Sequence, residues 1–144
     1  MASNDLQWLL LRKHNSFFVK KVAEGPIFSK EPGNLTNLHS HKYSGLSNSK
    51  TIDVSATEGG VKLTTRKKGA SPHAVHSSFV TSAVRPRSGT RRALGIAAKL
   101  ARRGYRPDLR QATLARVSAI LESQKDNKPS YPKKLRGKKK NIGL

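Results

Sequence analysis

The chain has 144 residues, 29 Lys and Arg against 8 Asp and Glu, a net charge of +21 and no cysteine. Leu, Ile, Val and Phe together make up only 32 residues, so one folding unit with a small core is expected, and so high a charge opposes compaction until a polyanion neutralises it. The lack of thiols excludes a disulfide framework and a cysteine zinc site, and the longest apolar run, Trp8 to Leu11, is too short for a membrane span or the core of an export signal.

The first element reads as a short helix. Asn4 can cap it with Gln7 three residues on, Leu6, Leu9, Leu10 and Lys13 share a face, and the helix should end near His14 or Asn15. Trp8 on such a helix is expected to be a core residue. Phe17-Phe18-Val19 and Ile27-Phe28 are β-prone runs on either side of Glu24-Gly25-Pro26, which suits a hairpin. A second hairpin is better marked. Thr51-Ile52-Asp53-Val54 and Val61-Lys62-Leu63-Thr64 alternate with period two around Glu58-Gly59-Gly60. These strands should form a small antiparallel sheet against the first helix.

Residues 66–88 show no sustained period and contain Pro72 and Pro86, as an extended connection would. Val75, Phe79, Val80 and Val84 are its candidates for one edge strand. From about Thr90 helical character returns, with Leu94, Ala97, Ala98, Leu100 and Ala101 among basic residues and Gly104 as terminator. A further helix begins at Pro107 with Asp108 in its first turn, and Leu109, Leu114, Val117, Ile120 and Leu121 fall within about 140° of its circumference, a core-facing stripe. The expected fold is α+β: an N-terminal helix with a small antiparallel sheet, an extended connection, two basic C-terminal helices and a disordered basic tail. Residues 1–124 are assigned to one RNA-binding body and 125–144 to the tail.

Charge is divided unevenly. Residues 1–65 hold 8 basic and 5 acidic side chains, residues 66–144 hold 21 and 3, so the second half faces the polyanion. The candidate nucleic-acid contacts are Arg66, Lys67 and Lys68; Arg85, Arg87, Arg91 and Arg92; Lys99, Arg102, Arg103 and Arg106; Arg110 and Arg116 on the last helix; and Lys133, Lys134, Arg136, Lys138, Lys139 and Lys140 in the tail. Each cation near a phosphate backbone displaces condensed counterions and adds affinity without sequence information. Arginine also forks onto phosphates and stacks on unpaired bases, which suits folded RNA. One such run would read as a solvated face or an import patch; several, with three acids among them, point to nucleic acid.

Catalytic chemistry has no foothold. Gly89 to Gly95 lacks the Lys-Ser ending of a phosphate loop, no Gly-x-Ser-x-Gly elbow or His-Glu-x-x-His pair is present, and the carboxylates are scattered. His39 with His41 and His73 with His76 lack further ligands, so they read as polar loop or phosphate-contacting residues, and no metal or cofactor is expected. Asn34-Leu35-Thr36 has glycosylation spacing but reads as chance. No enzyme activity or small-molecule substrate is assigned.

Leu6-Gln7-Trp8, Asn15-Ser16-Phe17, Glu31-Pro32 with Asn34-Leu35, Tyr43 with Gly45-Leu46, Tyr105-Arg106-Pro107-Asp108-Leu109-Arg110, and Ser118-Ala119-Ile120-Leu121 with Ser123-Gln124-Lys125 form an ordered series over about residues 6–125. The series resembles the eukaryotic ribosomal protein family numbered twenty-eight in the large-subunit series, unrelated to its bacterial namesake, and the Tyr105 to Arg110 hexamer is its most specific part. That resemblance implies an α+β, non-catalytic structural constituent of the large subunit of the cytosolic ribosome. Its implied partners are ribosomal RNA and other large-subunit proteins, without a membrane or an obligate homo-oligomer, and its implied path runs through nucleus and nucleolus to the cytoplasm. The alternatives are a nucleolar assembly factor, for which a long acidic extension would be expected, a chromatin-packaging protein, and an RNA-modifying enzyme with no nameable acid, base or nucleophile.

Overall fold

The alternation around Glu58-Gly59 closes a two-residue hairpin: Gly59 takes φ +68°, a conformation glycine adopts without steric cost, and Thr57 faces Gly60 across the turn. In the computed structural model, which describes residues 3–71, 73–85, 87–102 (the backbone alone at 102), 104–126 and 130–131, the chain is α+β. It has three α-helices, a short 3-10 turn and two small antiparallel sheets. The elements are α1 (Asn4–Leu11), β1 (Phe18–Val19), β2 (Phe28–Ser29), β3 (Ile52–Thr57), β4 (Gly60–Arg66), β5 (Phe79–Val84), α2 (Thr90–Arg102), the 3-10 turn Pro107–Leu109 and α3 (Arg110–Ser123). The tail cations Lys133, Lys134, Arg136, Lys138, Lys139 and Lys140 lie outside the described residues, as do Arg103, Pro72 and Pro86.

The two hairpins form separate sheets instead of one. Among the described residues β1 pairs only with β2, while β4 is the centre of a three-stranded sheet between β3 and β5. β5 is the edge strand that Phe79, Val80 and Val84 foreshadow; Val75 stays outside it and exposed. Register divides the larger sheet into two faces. Ile52 and Val54 on β3, Val61 and Leu63 on β4 and Val84 on β5 point to one side and are almost wholly buried, because α2 and α3 cover them. Asp53, Lys62, Thr64, Arg66 and Phe79 point to the other side, which no helix among the described residues covers.

Helix α2 reaches the core through small residues. Ala93, Ala97 and Ala101 recur every four positions and are buried, so the helix backbone approaches α3 closely, and α3 in turn packs on β3 and β4. From the last helical segment, Leu109 and Val117 are buried and Leu114, Ile120 and Leu121 are half-buried, as the stripe requires. Gly104, at φ +68°, ends α2 in the left-handed conformation.

Helix α1 departs from expectation. Its cap is Ser3, whose Oγ accepts from the Leu6 amide at 3.2 Å, one residue before Asn4, and the helix ends at Leu11. The face turned to the body is Asn4, Gln7, Trp8 and Leu11, so Leu6, Leu9 and Leu10 are exposed at 48%, 57% and 64%. Trp8 does not enter the core cluster either. Its indole lies 4.8 Å from the His39 ring and 5.6 Å from the His41 ring, stacked on the latter, and Phe18 meets His39 edge-on. His39 Nε2 donates to the Arg12 carbonyl at 3.0 Å, satisfying one of the open acceptors at the helix end. The histidines thus anchor α1 through its tryptophan, and the helix docks on a loop, not on the larger sheet.

Candidate nucleic-acid interface

The cations of α2 are sorted by helix geometry. At 3.6 residues per turn, Arg91, Arg92 and Lys99 fall within an arc of about 100° opposite Ala93, Ala97 and Ala101, and all three are exposed. The basic side of α2 therefore faces solvent because its alanine side faces the core. Arg85 and Arg87, just before the helix, are exposed too, as are Lys67 and Lys68 after β4.

Lys67 and Lys68 lie at the end of the sheet where Arg66 pairs with Phe79, whereas Arg85 follows Val84, which pairs with Val61 at the opposite end. Five residue steps separate the two, about 17 Å. Helix α2 connects these ends: its 13 residues span about 20 Å, and Leu100 near its C-terminus shares a cleft of about 190 Å³ with Thr65, Lys68 and Tyr105. Arg85, Arg87, Arg91, Arg92, Lys99, Lys68 and Lys67 are thereby strung along one strip. Among the described residues of this half, the carboxylates of Asp108 and Glu122 are taken by Arg106 and Lys125, and Asp126 is exposed and makes no ion pair, so none of the three pairs with a cation of the strip.

Arg106 and Arg116 are held inside the chain. Arg106 forks onto Asp108, with Nε 2.9 Å from Oδ1 and Nη2 2.7 Å from Oδ2, and donates also to the carbonyls of Lys50 at 3.0 Å and Lys42 at 2.8 Å. This guanidinium beside it holds the Asp108 carboxyl below the usual carboxylate range, against the opposing effect of partial burial. Arg116 reaches across from α3 to β3 and the loop before it. Its Nε donates to the Val54 carbonyl at 3.0 Å and its Nη1 to the Leu35 carbonyl at 3.0 Å, with longer contacts to the Asn34 carbonyl and Asn37 Oδ1. Arg66 is half-buried and Arg110 is exposed. Of the basic residues singled out on α3, Arg110 alone faces outward.

The Tyr105 to Arg110 hexamer is a clamp. The Tyr105 hydroxyl lies 2.5 Å from the Arg66 carbonyl and 3.2 Å from that of Thr51, and accepts from the Thr51 amide at 3.1 Å, tying the end of β4 to the start of β3. Burial pushes the Tyr105 phenol up, with the backbone hydrogen bonds and nearby arginines opposing it. Pro107 opens the 3-10 turn and Leu109 enters the core.

A buried polar network holds the long loop before β3. Glu31 is 4% exposed and accepts from Asn34 Nδ2 at 3.0 Å and Ser44 Oγ at 3.1 Å, while Asn34 Nδ2 also reaches the Leu38 carbonyl at 2.9 Å. Asn34 is 2% exposed, so the glycosylation-like triplet is a structural asparagine. Sequence reasoning missed this network, since its members are isolated in the chain and only the polar type of each residue could have suggested it. Among the described residues no group of three or more His, Cys, Asp or Glu side chains converges on one point, and no helix is long and apolar enough to cross a membrane.

Residues 6–123 match the family described as the Ribosomal L28e protein family. The chain belongs to that family. It is 36% identical over 129 residues to a protein of Schizosaccharomyces pombe named large ribosomal subunit protein eL28, a match covering 88% of this chain and 96% of the relative. A protein of the same name from Dictyostelium discoideum is 35% identical over 136 residues, covering 93% and 98%. A third, from Caenorhabditis elegans, is 39% identical over 80 residues, covering 55% and 64%. The resemblance carried by scattered short motifs is thus a relationship across most of the chain.

Proposed function

We propose that this chain is a structural constituent of the large subunit of the cytosolic eukaryotic ribosome, where it binds ribosomal RNA by neutralising phosphates and lies among other large-subunit proteins. Membership of a ribosomal protein family supports the ribosomal role. The observation that carries the binding mode is the strip along α2, where outward cations span about 20 Å and are free of internal carboxylate partners among the described residues. Its contacts are Arg85, Arg87, Arg91, Arg92, Lys99, Lys67 and Lys68, with Arg110 on α3 and Arg66 on the opposite face of the sheet as further contacts outside the strip. Lys133, Lys134, Arg136, Lys138, Lys139 and Lys140 add non-specific affinity, and residues 1–124 act as the body that carries the strip. No catalytic step is part of this role.

Fractionation of lysate from cells expressing the tagged chain tests the reading. The chain should sediment with the large subunit at raised salt and leave that position after ribonuclease treatment, with a pool in the nucleolus during assembly. A chain that stays on chromatin regardless of ribonuclease contradicts it.

A further inference from the structure

The face of the larger sheet that no helix covers is roofed in part by the loop that Glu31, Asn34 and Ser44 fix. Between loop and sheet is a cleft of about 250 Å³ whose boundary includes Pro32, Gly45, Leu46, Asp53, Thr64 and Phe79. The roof lies close: a β-carbon at Gly45 would overlap the Pro32 carbonyl oxygen, so only glycine closes the loop this tightly. The cleft is smaller than the roughly 300–1,000 Å³ of a drug-sized site, and suits one planar ring system.

Three chemistries meet there. Phe79 is 43% exposed on an edge strand and presents an aromatic surface at the cleft. Asp53 faces Thr64 across the β3–β4 ladder and is half-buried, and its carboxylate makes no hydrogen bond or ion pair among the described residues. In a chain of net charge +21, a carboxylate left in an apolar cleft without a cation calls for an N–H donor from outside. Arg66 stands directly opposite Phe79, and Lys62 and Arg66 flank Thr64 on the same face. Cations stand beside the cleft on the same sheet face and a carboxylate is part of its boundary, a pattern that repels a basic side chain on approach and a phosphate inside. A nucleotide satisfies both ends, with its phosphate at the rim and its base inside.

We propose that this cleft receives one unstacked nucleobase of ribosomal RNA, guanine in preference to the others. Phe79 supplies the stacking plane, Asp53 accepts from the N1–H and N2–H of the base, and Arg66 contacts the attached phosphate. Guanine is favoured because its Watson–Crick edge places two N–H donors side by side, matching the two oxygens of one carboxylate. The strip along α2 binds backbone without regard to sequence, whereas this cleft selects a base. The inference rests on the ribosomal RNA reading above and adds to it the position at which sequence is read.

The test uses the full chain and a set of RNA hairpins with one stem and a single bulged G, A, C or U, beside the same stem without a bulge, titrated by fluorescence anisotropy at several salt concentrations. Wild type should favour the bulged G hairpin over the unbulged stem by roughly ten-fold or more. Phe79→Leu, which keeps an apolar side chain but no ring, should lose most of that gain while Phe79→Tyr keeps it. Asp53→Asn should erase the preference for G over A and bind the unbulged stem no more weakly than wild type; circular dichroism melts establish that each variant folds. Equal binding of all hairpins by wild type, with affinity falling steeply as salt rises, overturns the cleft and leaves the ribosomal RNA reading standing. Absence of salt-dependent binding to any hairpin defeats both. An arginine-rich peptide that binds wild type but not Asp53→Asn, with no change in hairpin discrimination, assigns the cleft to a protein tail and also overturns the proposal.

Discussion

Helices α2 and α3 pack side by side in the same basic half of the chain, yet they use their arginines differently. On α2 the inward positions are alanines and the cations point to solvent. Just before α3 and along it, Arg106 and Arg116 turn back and donate to carbonyls of Lys42, Lys50, Leu35 and Val54. A guanidinium has five donors and is weakly hydrated, so it can serve as a bracket for loops whose carbonyls lack other partners. Charge in the sequence therefore overstates the cationic surface open to solvent, and it is the partner of each arginine that separates a bracket from an outward cation.

Removing a bracket should do most to break this contrast. Arg116→Ala leaves the Val54 and Leu35 carbonyls without their charged donor and should cost about 3 kcal/mol, seen as a fall of roughly 10 °C in thermal midpoint. Arg116→Lys should restore little, because one ammonium cannot span the same acceptors. A smaller loss is expected at the neighbouring latch. Tyr105→Phe removes the hydroxyl between β3 and β4 and should cost about 1–2 kcal/mol, without weakening RNA binding. Because burial raises the folded-state pKa of Tyr105, its contribution is full below the ordinary tyrosine value and is lost as pH rises through the raised one. Wild type should then lose its advantage over Tyr105→Phe on the alkaline side, which melts across that range will measure.

On the acid side the effect is weaker. The folded-state pKa of Asp108 is lowered by Arg106, so its contribution is present above the ordinary carboxylate value and is lost as pH falls through the lowered one. Asp108 has 39% of its side chain exposed, and solvent screens much of the pairing. The stability gap between wild type and Arg106→Ala should narrow slightly below the usual carboxylate range, and an unchanged gap down to the acid transition would mean that the backbone contacts of Arg106 account for its whole contribution. The smallest effect on stability belongs to α2: Arg91, Arg92 and Lys99 replaced together by Ala should shift the melt by no more than about 0.5 kcal/mol per site.

The parts of this arrangement that are legible in the sequence are those written in side-chain periodicity. The β3–β4 hairpin follows from strict alternation around Gly59, and the inward stripe of α3 from Leu109, Val117 and Ile120. The role of Arg106 and Arg116 leaves no such trace, since their acceptors are backbone carbonyls that every residue possesses. Helix α1 misleads for the opposite reason. Leu6, Leu9 and Leu10 have the spacing of a buried face, but Trp8 offers the larger apolar surface and finds His39 and His41, so the leucines remain outside. The cleft beneath the 31–48 loop is invisible in the sequence because it needs Pro32, Leu46, Asp53 and Phe79 from four separate segments.

The central claim is that the exposed cations of α2, rather than the bracketing arginines, meet the RNA backbone. It is tested most directly by the salt dependence of binding between a large-subunit ribosomal RNA fragment and the full chain, wild type against the variant with Arg91, Arg92 and Lys99 all changed to Ala. The slope of log affinity against log salt should flatten by up to about 0.9 for each phosphate that the variant no longer neutralises, with the folded state intact by circular dichroism. A variant that keeps the wild-type slope would contradict the account.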